Sequence, residues 1–323
     1  MLEDGISIII PIKCFNEKNI PSFISYISYL NKEFQTKKIK YQIIIADESD
    51  SSFYKIINKE IVRDPHIIHF APMGDELSGR NDKMNGIYAS LKYLLYIYTF
   101  IIDDHYRITV NEFIEATSAF ADYGLFKLVP RFNRYPISIC IDMAGLFFRS
   151  VINQDRQFSG HIAIRSELLL QGFPDRNGLY DEYVIEKYYK HRGVRTGFPK
   201  GIYFTAEQNI SLKKFCEQRI RYSYENLAFP FRFITHLALL PLYIFFLNIG
   251  AYVFVPACIA YVFLLLIISC IGQIKYASKD MPKTIFLYSV IWHLSYWLTS
   301  WIALILFLTV GVRFGNKHIH SPK

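Results

Sequence analysis

The sequence predicts an α/β domain built on a parallel sheet, followed by a set of membrane-spanning helices. Three observations predict it. Apolar β-branched runs at residues 6–12, 41–46 and 67–70 alternate with a helical pattern at 23–34, a β-α-β-α-β order that favours parallel strands and right-handed crossovers. Two apolar runs stop abruptly in acids: Asp47-Glu48-Ser49-Asp50 after the second, and Asp103-Asp104-His105 after residues 98–102. Acids at strand ends lie at a sheet's carboxyl edge, where open α/β folds bind ligands. From Phe233 onward the chain is nearly all apolar, with brief basic breaks.

Within the first part, Pro11 closes the opening strand and a polar loop leads to the helix carrying Ile24, Ile27 and Leu30. Gly79-Arg-Asn-Asp-Lys-Met-Asn-Gly86 opens a second helix running to about residue 94. Arg80 and Lys83 at its start can meet phosphate together with free backbone N–H groups. The plainer reading is N-terminal capping by Asn81 or Asp82. The run at 93–102 is too short to cross a bilayer. Residues 111–120 read as a helix, and 124–129 and 137–141 as β-like pieces. Residues 160–170 read as a strand turning into a helix capped by Ser166. Asp181 and Glu182 open a helix that stops near Gly193. Acids in a first turn are often surface residues favoured by the helix dipole.

Composition bounds the function. The 323 residues suit about two domains. The overall 52% hydrophobic content is an average over a mixed first part, to about residue 230, and an apolar second part. Met1 is followed by acids and a β-like run rather than by the basic and apolar regions of a secretory signal. Five scattered cysteines without a CxxC pair predict reduced, structural thiols and no zinc site. The formal charge of +8 suits an anionic membrane surface or phosphorylated substrates. No nucleic-acid-binding module is present to use it otherwise, so nucleic acid is not an expected partner.

Residues 212–226 are basic, amphipathic and aromatic, the pattern of a helix lying in the membrane interface. Apolar segments at 233–251, 252–272 and 284–312 then predict about three spans. A tight hairpin near Asn248 to Gly250 separates the first two, and the third is long enough to tilt. Trp292, Trp297 and Trp301 suit interfacial or protein-facing positions. Lys213, Lys214, Arg219, Arg221 and Arg232 precede the first span, and Lys275, Lys279 and Lys283 lie between the second and third. Both groups belong on the cytoplasmic side. Three spans then put Arg313 and Lys317 outside, against the same rule. The expected division is a catalytic domain at 1–211, an interface helix at 212–232, spans at 233–312 and a tail at 313–323.

Taken together, residues from roughly 5 to 230 resemble the membrane-anchored family 2 glycosyltransferases, such as ceramide glucosyltransferases and the cellulose and hyaluronan synthases. I-S-I-I-I-P-I-K-C-F-N-E looks like the family's opening strand and loop, and G-R-N-D-K-M-N-G like the "G-x-N-x-K-x-N" stretch of the ceramide branch. Asp47 matches the acid that contacts the nucleotide base. Asp103-Asp104-His105 falls at the metal-binding D-x-D, and Tyr180-Asp181-Glu182 at the "T-E-D" that supplies the catalytic base. Gln218 to Tyr222 resembles "Q-x-x-R-W" at the mouth of the acceptor channel. The chain departs from the pattern in reading D-D-H for D-x-D, in reversing the acids of the base motif, and in ending the last motif with Tyr222. Either Asp103 with His105, or Asp104 in a shifted register, supplies the ligands, and either Asp181 or Glu182 is the base.

The resemblance implies a GT-A catalytic domain, of the Rossmann-like nucleotide-diphospho-sugar transferase type, that moves a sugar with inversion from a nucleoside-diphosphate sugar to a lipid or saccharide acceptor. It implies Mg²⁺ or Mn²⁺ at Asp103, Asp104 and His105, hard or borderline donors suited to such ions. Donor contacts would come from Asp47, Lys83, Asp103, Gln218, Arg221 and Tyr222. His161, after Gly160, is a candidate for lining the acceptor pocket, beside the commoner reading of a structural histidine. The competing reading is a non-catalytic membrane protein whose transferase-like domain binds nucleotide. Convergence of the acids on one site separates the two.

Overall fold

The computed structural model describes residues 2–14, 16–61, 64–152, 160–178, 181–207, 212–228, 230–309, 312–314 and 317–319. The chain opens with β1 (Glu3–Ile12), α1 (Ile20–Thr36), β2 (Tyr41–Asp47), α2 (Ser51–Glu60) and β3 (Ile67–Phe70). Next come α3 (Asp82–Ser90), β4 (Tyr96–Ile102), α4 (Val110–Thr117), β5 (Leu125–Phe126), β6 (Val129–Phe132) and α5 (Ile137–Ile152). β7 (His161–Arg165), α6 (Ser166–Leu170), α7 (Asp181–Lys190), β8 (Thr196–Gly197) and β9 (Tyr203–Ala206) follow. The remainder is α8 (Leu212–Glu225), α9 (Pro230–Ile249), α10 (Ala251–Tyr276), α11 (Ser289–Leu308) and a ribbon of β10 (Val312–Phe314) and β11 (Lys317–Ile319).

Two compact units result. The first comprises Met1–Asn133 and Gln157–Gln208, the second Arg134–Arg156 and Asn209–Lys323. The stretch expected as one catalytic domain at 1–211 is therefore interrupted by α5, which belongs with the C-terminal helices.

The first unit is organised by a seven-stranded sheet in the order β3-β2-β1-β4-β7-β5-β8. β1 pairs in parallel with β2 and β4, and β2 with β3, as the alternating pattern predicts. β7 enters antiparallel between β4 and β5. Both faces are covered, which is why the strands read as continuous apolar runs rather than alternating ones. Ile8, Ile10, Ile43, Ile45, Phe100 and Ile102 pack on one face with α1 and α4. Ile9, Ile44 and Ile101 point to the other, with Met84 and Ile87 of α3 and Ile185 and Tyr189 of α7. Inside this core a fully buried ion pair joins Lys127, in the β5–β6 turn, to Glu186 of α7. The pair ties the helix that carries Asp181 and Glu182 to the sheet.

Among the described residues, the second unit contains three helices long and apolar enough to cross a membrane: Pro230–Ile249, Ala251–Tyr276 and Ile285–Leu308. Gly250, with φ of 131°, makes the turn between the first two. Gln273 closes the next connection, donating to the Pro282 carbonyl and accepting from the Phe286 N–H, both at 2.8 Å. α8 runs along α11, where the Ser223 and Thr299 hydroxyls meet at 2.6 Å. α5 corrects the β-like reading of 137–141. Ile137, Ile139 and Ile141 alternate as a strand would, but the apolar run continues through Phe148 and is buried as a helix against α10 and α11. That contact is at backbone range: a Cβ on Gly272 of α10 would stand 2.0 Å from the Phe147 carbonyl oxygen.

Lys127→Met leaves Glu186 buried without its cation and is expected to cost about 3–5 kcal/mol. Lys127→Met/Glu186→Leu is expected to recover most of that loss, measured as the thermal midpoint of the full chain in detergent. Equal destabilisation by single and double variants would show that the pair does not anchor α7.

Candidate active site

Four side chains from three separate segments meet at the carboxyl edge of the sheet. β4 ends at Ile102 and delivers Asp103. α7 begins at Asp181 and delivers both Asp181 and Glu182 in its first turn. Between them lies Lys83 of α3. Its Nζ stands 2.6 Å from Asp103 Oδ1, 2.5 Å from Asp181 Oδ2 and 3.0 Å from Glu182 Oε1. Asp181 and Glu182 are buried, at 8% and 7% exposure, so neither is the solvated first-turn acid that helix statistics allow.

Local sequence chemistry sets this meeting. Asn81 caps α3 by accepting from the Met84 N–H at 3.2 Å, the capping role open to it in the sequence. Its amide then donates to the Gly178 carbonyl at 2.8 Å, while the Arg80 N–H donates to Asn177 Oδ1 at 3.1 Å. Arg176 completes the seam, donating to the Glu76 carbonyl, to Asn85 Oδ1 and to Ser78 Oγ. The start of α3 is thus stitched to the loop that precedes α7, and Lys83 faces Asp181 and Glu182 as a consequence. At the other side, Lys13, just past β1, pairs with Asp82 at 2.7 Å. Sequence reasoning missed Arg176 and Asn177. Their signal, a polar Asp-Arg-Asn-Gly run shortly before the acids, is that of any loop.

Three carboxylates share one ammonium, so the acids cannot all titrate normally. Burial raises Asp181, and the negative charge of Glu182 pushes it further above the carboxylate range. Burial also works to raise Glu182, but the charge and hydrogen bond of Lys83 outweigh it and hold Glu182 at about 2. The two acids titrate as a pair. Lys83 is driven well above its ordinary value, since the three carboxylates overcome the burial that would lower it.

Asp103 Oδ2 is turned the other way. Gly160, at φ of 68°, passes so close that a Cβ there would stand 2.8 Å from this oxygen, and its carbonyl accepts from the Asp103 N–H at 3.1 Å. His105 Nδ1 lies 4.0 Å from Asp103 Oδ2 and 3.7 Å from Asp104 Oδ1. Among the described residues no group of three His, Cys, Asp or Glu side chains is arranged to hold a metal ion. The expected trio is therefore not a closed cage, and the Asp104 carboxylate is 57% exposed. Asp103 with His105 leaves an incomplete donor pair of the kind Mg²⁺ accepts, because that ion takes its remaining ligands from substrate phosphates and water.

Two expected contacts are spent inside the fold. Asp47 is 1% exposed. Its Oδ2 lies 2.9 Å from His69 Nε2, and its Oδ1 accepts from the Ser49 N–H at 2.8 Å. His69 is in turn stacked on Tyr54 at 4.6 Å. The Asp47 carboxylate thereby shapes the end of β2. His161 is also 1% exposed. Its Nε2 accepts from the Leu128 N–H at 2.9 Å, and its ring packs between Tyr106 and Phe204. It is packed as a core residue, the structural reading the sequence also allows. Gln218, Arg221 and Tyr222 lie on α8 of the second unit, with the Arg219 guanidinium 4.6 Å and that of Arg221 5.3 Å from the Tyr222 ring centroid.

No protein-family model matches the sequence, and no curated protein matches it. Among solved structures the chain is similar to the mannosyltransferase PcManGT from Pyrobaculum calidifontis, determined in complex with GDP-Man and Mn²⁺. The TM-score is 0.53 at 12% identity, over 96% of this chain and 76% of that one. The first unit has the GT-A fold. Weaker likenesses are to S. aureus TarS, with a TM-score of 0.44 at 13% identity over 69% of this chain and 40% of that one. Glucosyl-3-phosphoglycerate synthase from Mycobacterium tuberculosis gives 0.41 at 16% identity over 65% and 74%. At these identities the likeness concerns the GT-A architecture, and the chemistry must be argued from the residues.

Lys83→Met strands three carboxylates and is expected to cost about 3–5 kcal/mol, as for other broken buried pairs. Adding Asp181→Asn is expected to restore part of the loss, since it removes one member of the coupled acid pair that Lys83 holds together. Thermal midpoints of the four proteins in the cycle give the coupling energy. A coupling near zero would mean that Lys83 and Asp181 do not share the site.

Proposed function

We propose that the chain is a metal-dependent, inverting family 2 glycosyltransferase acting at the cytoplasmic membrane face, with a nucleoside-diphosphate sugar as donor and a lipid or saccharide hydroxyl as acceptor. The observation that carries this reading is the convergence of Asp103, Asp181 and Glu182 on Lys83 at the carboxyl edge of a GT-A sheet. Acids more than seventy residues apart in sequence have no structural need to meet with only one cation between them. Such an arrangement is expected where a reaction handles developing negative charge and a proton together.

Asp103 and His105 would hold Mg²⁺ or Mn²⁺ beside the donor's diphosphate. When bound, the ion neutralises charge on the leaving group. Lys83 supplies a fixed positive charge between Asp103 and the Asp181–Glu182 pair. The acceptor oxygen attacks the anomeric carbon opposite the diphosphate, and the carbon–oxygen bond to the diphosphate breaks with its electron pair leaving on phosphate oxygen. One carboxylate of the Asp181–Glu182 pair takes the acceptor's proton. The other stays ionised and keeps Lys83 oriented. The basic segments beside the candidate spans support a cytoplasmic catalytic unit, and a membrane-anchored transferase is placed to use lipid-borne acceptors.

The test is radiolabel transfer from a panel of nucleotide sugars into lipid and polymer fractions by membranes containing the full chain. Transfer is expected to disappear with EDTA and return with Mg²⁺ or Mn²⁺. The base variant, Asp181→Asn or Glu182→Gln, is expected to lose about 10²- to 10⁴-fold in kcat with donor affinity retained. Unchanged turnover after Asp103→Ala would sink the assignment. Gly160→Ala supplies a subtler check. Its methyl group would press on Asp103 Oδ2, so activity is expected to fall although no charged group is removed.

A further inference from the structure

The second unit gathers positive charge where a membrane unit can least afford it. Arg149 of α5 and Arg232 of α9 lie against the aromatic pair Trp292 and Tyr296 of α11, whose rings are 5.1 Å apart, and Arg219 of α8, stacked on Phe215 and Tyr222, is near enough for its charge to act on Arg149. The Arg149 guanidinium is 5.8 Å from the Trp292 ring centroid, and that of Arg232 is 5.9 Å from Tyr296. Asp142 of α5 is the one carboxylate found near them among the described residues, and it is taken by Arg219 at 2.8 Å. Among the described residues, Arg149 and Arg232 are therefore without a paired carboxylate at this place. Arg149 donates its Nε–H to the Gly145 carbonyl at 3.2 Å and has no carboxylate within ion-pair range among the described residues.

Burial, together with the like charges of Arg232 and Arg219, pulls Arg149 below its ordinary value. An arginine does not give up its proton in a protein, so its charge is held at a cost that an anion would relieve. Further polar atoms at the same place lack partners. Trp292 Nε1 and His236 Nδ1 are buried without a hydrogen bond among the described residues. His236 is 9% exposed, is stacked on Tyr296 at 4.8 Å, and feels the charges of both Arg149 and Arg232. Buried polar groups are nearly always satisfied, and a cluster of exceptions around an uncompensated cation calls for a ligand.

We infer that this cluster binds the phosphate headgroup of a lipid. Guanidinium forks match phosphate oxygens in a way that single-point cations do not. The apolar surroundings select a lipid over free phosphate: on α9, Phe231 and Ile234 flank Arg232 and are 82% and 61% exposed. A phosphate between the arginines would lie beside apolar surface that fits acyl or prenyl chains. The site draws only on residues of the second unit, so it stands or falls separately from the transferase reading.

The probe is phosphatidic acid, presented to the full chain in phosphatidylcholine nanodiscs and counted by native mass spectrometry after release into detergent. Wild type is expected to retain one phosphatidic acid per chain and not to retain diacylglycerol, which has the same chains without the phosphate. Arg149→Gln is expected to lower occupancy about tenfold, the loss of one charge-assisted contact. Arg232→Gln, at a partly exposed position, is expected to do the same and guards against a folding defect in the first variant. Equal occupancy in a folded variant, or equal retention of diacylglycerol, overturns the proposal. Displacement by millimolar inorganic phosphate as effective as that by phosphatidic acid would show a free-anion site and overturn the lipid assignment.

Discussion

The geometry of the first unit depends on the Lys83 ammonium. Its contacts with Asp103, Asp181 and Glu182 hold together the end of a central strand and the start of a helix more than seventy residues away in sequence. Without that cation the three carboxylates would repel one another in a partly desolvated place. With it they form a compact, polarised group that still carries more negative than positive charge. A site of this kind is tense by construction. It is stable only because the surrounding backbone is pinned by the Asn81, Arg80 and Arg176 hydrogen bonds to neighbouring loops.

The sheet supplies the rigid reference for this arrangement. Isoleucines on both faces bury β2 throughout and β1 over Ile6 to Ile10, so their carboxyl ends are fixed relative to one another. α7 is anchored from behind by the buried Lys127–Glu186 pair, one helical turn beyond Glu182. Gly160 allows β7 to start directly against Asp103, where no side chain would fit. The second unit has a different economy. Its long helices expose apolar residues, and two of its arginines, Arg149 and Arg232, lie against Trp292 and Tyr296.

Much of this was legible in the sequence, and the legible parts share a cause. Strands, helices and spans follow from hydrophobic period and length, which are local properties. The runs at 6–12, 41–46 and 67–70 became β1, β2 and β3, and, among the described residues, three helices long and apolar enough to span a membrane lie close to the expected limits. The acids after β2 and β4 were visible for the same reason, as abrupt ends to apolar runs. Local pattern failed at residues 137–141, where period-two alternation suggested a strand. Packing of the longer run against α10 and α11 made it a helix.

By itself the sequence determined the α/β alternation, the parallel core of the sheet, the placing of Asp103 and Asp181 at element ends, and the apolar C-terminal region. Only the tertiary structure decided which charged groups face one another and which are used up inside. Asp47 and His161 carried the same chemical promise as Asp103, yet the first is taken by His69 and Ser49, and the second by the Leu128 N–H and two aromatic rings. The physical reason is that burial and pairing belong to neighbours remote along the chain. Residue type states what a side chain can do, and its fate depends on what the fold brings within three ångströms.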